Sequence, residues 1–199
     1  MVTSDPPISA LDSAKRVVLS SSFTFFFKCV VPLFFLSFGL FMLVAPAWLP
    51  GASAEYYLDE ELFRKVEANE PLLTFGERCL LFETNMITEP YQLKDFIFKI
   101  TSLGYKPVLA HPERYAYMTR EKAEDLRDRG ILFQLNMLSI IGYYSKSIQR
   151  TAQWLIDMGW VDLLGSDCHV LEHARLIEHV QKSKYFQKAL ALPLLNNTL

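Results

Sequence analysis

The sequence predicts an α/β fold with a parallel sheet, set behind a hydrophobic leader of different character. Three observations predict it. After Glu55, short apolar runs alternate with amphipathic stretches. Glycines stand where the amphipathic stretches end. The composition also breaks near Gly51-Ala52-Ser53: residues 1–54 carry three basic and two acidic residues but eight of the 15 Phe. The chain therefore divides into a leader, 1–54, and an α/β unit, 55–199.

Within the leader, residues 29–49 are 21 residues without a charge. At about 1.5 Å per residue a helix of that length crosses the roughly 30 Å hydrocarbon core of a bilayer. A hydrophobic helical segment that can span a membrane is expected there. Pro32 and Pro46 disturb such a helix, and the alternatives are a buried core helix or a non-native translated leader. Lys15, Arg16 and Lys28 precede the segment, and the positive-inside rule would then export the α/β unit. Ala52-Ser53-Ala54 has the small residues of a cleavage site.

The α/β unit reads in order. Leu58–Asn69 is amphipathic, with Leu62, Phe63 and Val66 on one helical face. Arg78–Phe82 is a short strand. Gln92–Leu103 is a helix burying Leu93, Phe96, Ile97 and Ile100, with Gly104 as its stop. Pro107–Ala110 is a strand. Thr119–Arg129 is a helix capped by Thr119 and stopped by Gly130. Ile131–Leu135 is a strand, Ser145–Met158 a helix stopped by Gly159, and Val161–Leu164 a strand. The C-terminal part is helix-rich.

Polar residues gather where these strands end: Glu83, His111, Gln134 and Asn136, then Asp167 and His169. Sites of parallel α/β folds are built at those ends. Glu55, Glu83 and His111 are spaced by 28 residues, about one βα unit. A set of Glu, Glu, His, Asp and His suits Mn²⁺, Fe²⁺ or Zn²⁺ better than Ca²⁺ or a structural zinc. Such ions activate water for phosphoryl displacement.

Other chemistries are excluded by pattern. A net charge of −2 argues against nucleic-acid binding. Cys29, Cys79 and Cys168 make neither a disulfide framework nor a zinc knuckle. Cys168 and Arg175 are separated by six residues, one too many for a cysteine-phosphatase loop. No P-loop, GxGxxG or G-x-S-x-G pattern occurs. His173 and His179 are expected to face solvent.

GASAEYYLDEE, LLFETN, GYKPVLAHPERY, LFQLNMLSIIGYY and DLLGSDCH resemble the bacterial capsular-polysaccharide tyrosine phosphatases of the PHP (polymerase and histidinol phosphatase) superfamily. The resemblance runs from about Gly51 to His173. It implies a distorted (β/α)7 barrel with up to three metal ions, usually Mn²⁺. It implies hydrolysis of phosphotyrosine on a kinase that regulates polysaccharide export, and hence cytoplasmic action; membrane association is expected from the uncharged segment 29–49 itself. Position by position, it makes Glu55, Glu83, His111, Asp167 and His169 metal ligands and His111 and Arg114 catalytic. It makes Arg114 a phosphate-binding residue, with Arg175 as a second contact. A salt bridge from Arg114 to Glu113 or another nearby carboxylate is the plainer alternative for that arginine.

The family opens with a His-x-His strand, whereas no histidine precedes His111 here. The expectation is therefore an incomplete barrel with unpaired sheet edges, preceded by the hydrophobic segment, and an impaired site. Two other readings stay open. One is a non-catalytic, membrane-associated remnant that binds an export partner. The other is a PHP phosphatase acting on a small phosphate monoester.

Overall fold

The structure is a computed structural model, and it describes residues 17–19 and 52–198. Its strands are β1 (Val17–Leu19), β2 (Ala52–Tyr57), β3 (Cys79–Glu83), β4 (Lys106–Ala110), β5 (Leu132–Asn136) and β6 (Leu163–Gly165). The helices between them are α1 (Glu60–Glu67), α2 (Leu93–Ser102), α3 (Arg120–Asp128), α4 (Met137–Ile140) and α5 (Lys146–Asp157). Helices α6 (Leu171–Gln181) and α7 (Lys184–Leu190) close the described chain. The strands lie side by side in sequence order. β2 to β6 are parallel and β1 runs antiparallel to β2.

Sequential order with one crossover hand places every connecting helix on the same face of the sheet. The side chains obey this. Leu80, Phe82, Leu109, Phe133 and Leu135 point to the helical face and pack with Leu62, Val66, Phe96, Ile100, Leu126 and Leu155. Their alternates Cys79, Leu81, Val108, Ala110 and Leu163 form a second, much smaller cluster with Phe75 on the opposite face. The period of two in a strand creates both sets from the same five-residue segments.

The helices start where local chemistry tells them to. Asp59, Thr119 and Ser145 accept hydrogen bonds from the backbone N–H groups of Leu62, Lys122 and Ile148. Asn69, after α1, takes the left-handed conformation (φ 52°) that ends helices and that asparagine tolerates. Each expected helix therefore appears, trimmed by a residue or two at its ends, with Asp59, Thr119 and Ser145 just outside as caps and Gln92 flanking α2 without a side-chain cap bond.

Strand β2 departs from the reading of the sequence. Ala52-Ser53-Ala54, read as a boundary and a cleavage-like site, is the first half of a strand paired in parallel with β3 through Glu55↔Leu81 and Tyr57↔Glu83. Its small and polar residues give no apolar signal, and the neighbouring ladder supplies what the pattern lacks. The outer edge of β2 is not bare either: Val17↔Ala54 and Leu19↔Ala52 pair across it. The edge expected to be unpaired is thus covered by a segment of the leader. The hydrophobic segment 29–49 lies outside the described residues. Among those residues, no helix is long and apolar enough to cross a membrane.

Candidate functional site

The site lies on the face of the sheet away from the helices, where the small apolar cluster gives way to polar side chains. Parity puts Glu55 and Glu83 there, together with Gln134, Asn136 and, beyond Gly165, Asp167. Glu83 ends β3, His111 follows β4, Asn136 ends β5 and Asp167 lies two residues past β6. Glu55 sits deeper, in register with Leu81. Glu55, His111, Gln134, Asn136, Gly165 and Asp167 line one cavity of about 20 Å³, room for a single water or ion.

His111 is the hub. Its backbone is left-handed (φ 35°, ψ 56°), and its N–H donates to the Gln134 carbonyl at 2.8 Å. That left-handed conformation, uncommon for a residue other than glycine, turns the chain sharply at the end of β4. The turn aims the ring back across β3. Nε2 lies 3.2 Å from Glu55 Oε1 and 3.2 Å from Glu83 Oε2. The His111 and Glu55 side chains are only 3% and 4% exposed. Burial lowers the basicity of the ring, but the two carboxylates outweigh it and lift its pKa to about 9. In the metal-free protein the two carboxylates thus favour the protonated imidazole.

That donor set fits a metal ion. One ligand atom from each of Glu55, Glu83 and His111 lies within 4.8 Å of the others. A divalent cation would replace the imidazole proton and satisfy both carboxylates at once. The mixed oxygen and nitrogen donors suit the transition ions of the Mn²⁺ to Zn²⁺ series.

A second group adjoins it. Arg114 Nη1 donates to Asp167 Oδ2 at 2.9 Å, and its guanidinium stacks 4.7 Å from the Tyr144 ring. Asn136 Nδ2 donates to the same Asp167 oxygen at 3.1 Å. The plain alternative for Arg114 is therefore partly realised, with Asp167 rather than Glu113 as partner. Glu113 turns inward instead. Its Oε1 accepts from the Asn136 N–H at 3.2 Å and from Ser139 Oγ at 2.6 Å, and full burial raises its pKa.

Two expected residues stand apart. His169 has a side chain 42% exposed; its Nδ1 lies 2.8 Å from the Asp167 carbonyl and 3.2 Å from Asp167 Oδ1. It is not part of the Glu55–Glu83–His111 group. Arg175 is exposed on α6. His179 is exposed, whereas His173 is half-buried, edge-on to Tyr143, with Nδ1 accepting from the His169 N–H. The reading of His173 as solvated is corrected: α6 carries it back against the Tyr143 ring.

Sequence reasoning noted Asn136 as a strand-end residue but gave it no role, and it missed the support around Glu83. Tyr115 and Tyr117 stack at 5.3 Å, and their hydroxyls bond the Thr84 N–H and hydroxyl. Thr84 comes directly after Glu83, so this pair fixes the end of β3. Strand-end position together with a hydrogen-bonding side chain was the signal for Asn136. No pattern announced the tyrosine pair.

The class is thus a parallel α/β protein with a carboxylate–imidazole cluster and an adjoining arginine at the strand ends. Residues 50–191 match the family model described as capsular polysaccharide synthesis, CpsB/CapC. The match covers most of the chain, and the chain belongs to that family. It is 28% identical over 94 residues to the putative tyrosine-protein phosphatase CapC of Staphylococcus aureus, covering 46% of this chain and 37% of the relative. It is 28% identical over 126 residues to the tyrosine-protein phosphatase CpsB of Streptococcus pneumoniae, covering 60% of this chain and 52% of the relative. The chain therefore spans about half, or less, of the length of these curated relatives. Its fold matches a chain from the crystal structures of YwqE from Bacillus subtilis and CpsB from Streptococcus pneumoniae, described as unique metal-dependent tyrosine phosphatases. The TM-score is 0.57 at 20% identity, covering 71% of this chain and 63% of the other.

Proposed function

We propose that the chain is a metal-dependent phosphomonoesterase by descent, built to act on phosphotyrosine. The observation that carries this reading is the convergence of Glu55, Glu83 and His111 beside the Arg114–Asp167 pair. Family membership and relatives named as tyrosine phosphatases support the substrate class. We extend the ligand set to Asp167 and, after rotation of its exposed ring, to His169. Mn²⁺ is the ion proposed, with Fe²⁺ or Zn²⁺ as substitutes.

A bound metal ion would supply the positive charge that activates water and neutralises the phosphoryl oxygens. The chain's own residues do the rest. Asp167 on one side and the Tyr144 face on the other hold the Arg114 guanidinium in place. Its remaining N–H donors are left for two phosphoryl oxygens, a geometry a planar fork suits. Tyr143 and Tyr144 flank that position and offer apolar surface to an aryl ester. Asn136 keeps Asp167 aimed at the site. Glu113, buried behind it, holds Asn136 and Ser139 and so ties the turn after β4 to the turn after β5.

The partner proposed is a phosphotyrosine-bearing kinase of polysaccharide export, met in the cytoplasm. The five parallel strands are proposed to be part of a distorted barrel. Taken alone, the 199-residue polypeptide is proposed to turn over slowly, because no histidine precedes His111 to complete a multi-metal set. The test measures Mn²⁺ binding and hydrolysis of a phosphotyrosine peptide and p-nitrophenyl phosphate. The polypeptide is compared with a version carrying a His-x-His strand ahead of Gly51. Saturable Mn²⁺ binding that disappears in His111→Ala, with faster turnover in the extended version, is the expected result. Failure of the polypeptide to bind Mn²⁺ would remove the metal reading. Equal rates for the two versions would remove the impairment.

A further inference from the structure

Outside the strand-end site, an open depression of about 240 Å³ lies on the helical side, lined by Met118, Arg120, Arg150, Thr151 and Trp154. Arg120 is the first residue of α3, and Arg150, Thr151 and Trp154 lie on α5. We propose that this depression is a second oxyanion site, one that receives a phosphoryl group.

Its charge is the first reason. Two guanidinium groups face one depression that no carboxylate lines. Among the described residues, neither makes a close salt bridge; Arg120 stacks 5.5 Å from the Trp154 ring and feels the charge of the neighbouring Glu121. Other arginines find acceptors, as Arg64 does with Glu70, Arg129 with Asp125 and Arg78 with the Leu103 and Gly104 carbonyls. The nearest candidate along the chain, Glu121, is engaged instead at the start of α3. Its own backbone and the Thr119 hydrogen bonds, with a smaller contribution from the charge of Arg120, hold its carboxyl below the usual range. Two like charges placed together repel, and a bound anion turns that cost into attraction.

Geometry is the second reason. The two arginines come from different helices, α3 and α5. A planar carboxylate is satisfied by one fork, whereas a tetrahedral oxyanion presents edges to two. The first turn of α3 adds the positive end of a nine-residue helix. Trp154 forms an apolar wall, braced edge-on by Trp160 at 5.7 Å. The Thr151 hydroxyl donates back to the Ser147 carbonyl. The depression is too small for a drug-sized ligand but holds a phosphoryl group with part of its carrier.

The carrier is either free phosphate or a phosphorylated side chain on a protein partner. The test uses the full 199-residue chain with Arg114→Ala to silence the strand-end arginine. Binding is followed by tryptophan fluorescence and calorimetry. Inorganic phosphate and a phosphotyrosine peptide are the probes, and the unphosphorylated acidic peptide is the control. Saturable binding of a phosphorylated probe is expected. It should weaken about tenfold in Arg150→Gln and about a hundredfold in Arg120→Ala/Arg150→Ala, from the loss of one and two charge-assisted contacts. Both arginines are exposed, and a circular-dichroism melt checks that the fold is kept. Tighter binding of the peptide than of phosphate assigns the site to a protein-borne group, and equal binding assigns it to the free ion. Three results overturn the proposal: no saturable binding with both arginines intact, titrations that superimpose after Arg150→Gln, or equal binding of the unphosphorylated peptide.

Discussion

The two faces of the sheet are made by the same strands and have opposite characters. Toward the helices, Leu80, Phe82, Leu109, Phe133 and Leu135 are sealed among helix side chains. On the other face a few apolar residues support Glu55, Glu83, Gln134 and Asn136. Alternation lets one five-residue strand serve both. In β3, Leu80 and Phe82 hold the fold, while Glu83, one residue on, belongs to the site. Stability and chemistry are thus separated by one residue in sequence and by the thickness of the sheet in space.

That separation can be broken first from the helical face. Phe82→Ala removes a fully buried ring that packs edge-on against Phe96 at 5.2 Å. A loss of about 3–5 kcal/mol in urea unfolding is expected. On the other face, Glu83→Gln removes one of the two carboxylates that pair with His111, so in metal-free buffer it should destabilise, but less than Phe82→Ala, and it should weaken Mn²⁺ binding at least tenfold by calorimetry. A Glu83→Gln loss of stability as large as that of Phe82→Ala would show that the faces are not separate.

Glu113 sharpens the comparison, because it is a buried carboxyl between the two regions. Glu113→Ala leaves the Asn136 N–H and the Ser139 hydroxyl without their acceptor, a cost of about 1–3 kcal/mol. Glu113→Gln keeps an oxygen for both donors and should be close to neutral in stability. The pH dependence comes from the raised folded-state pKa of Glu113. A raised carboxyl favours the fold fully below its ordinary value near 4.5 and loses that contribution as pH rises through its folded value. Unfolding measured from acid to neutral pH should therefore lose a destabilising trend in Glu113→Gln.

The smallest effect is expected far from both faces. Thr119→Ala removes the acceptor for the Lys122 N–H at the exposed start of α3, worth about 1 kcal/mol. Metal affinity should not change. A shift in Mn²⁺ binding would mean that α3 is coupled to the strand ends.

The periodic helices were legible because each carries its own caps and apolar stripe: Thr119 with Leu126, Ser145 with Leu155. The strand-end residues were legible because parallel α/β topology ranks those positions in advance. β2 was not legible. Ala52–Tyr57 has no apolar run, and its strand character comes from the ladder of β3. Nor could spacing show that His169 would stand outside the close group, since Asp-x-His places two side chains near each other without saying where each points.

The sequence by itself determined the alternation of elements, the helix ends, and the residue types available for metal and phosphate. These depend on neighbours along the chain, whose influence is local. Only the tertiary structure decided that His111 bridges Glu55 and Glu83, that Arg114 pairs with Asp167 while Glu113 turns inward, and that Arg120 and Arg150, on two helices, line one depression. Those outcomes depend on strand register, on the left-handed turn at His111 and on the packing of α3 beside α5. Each is set by burial and pairing between segments tens of residues apart, where a one-residue slip sends every side chain to the other face.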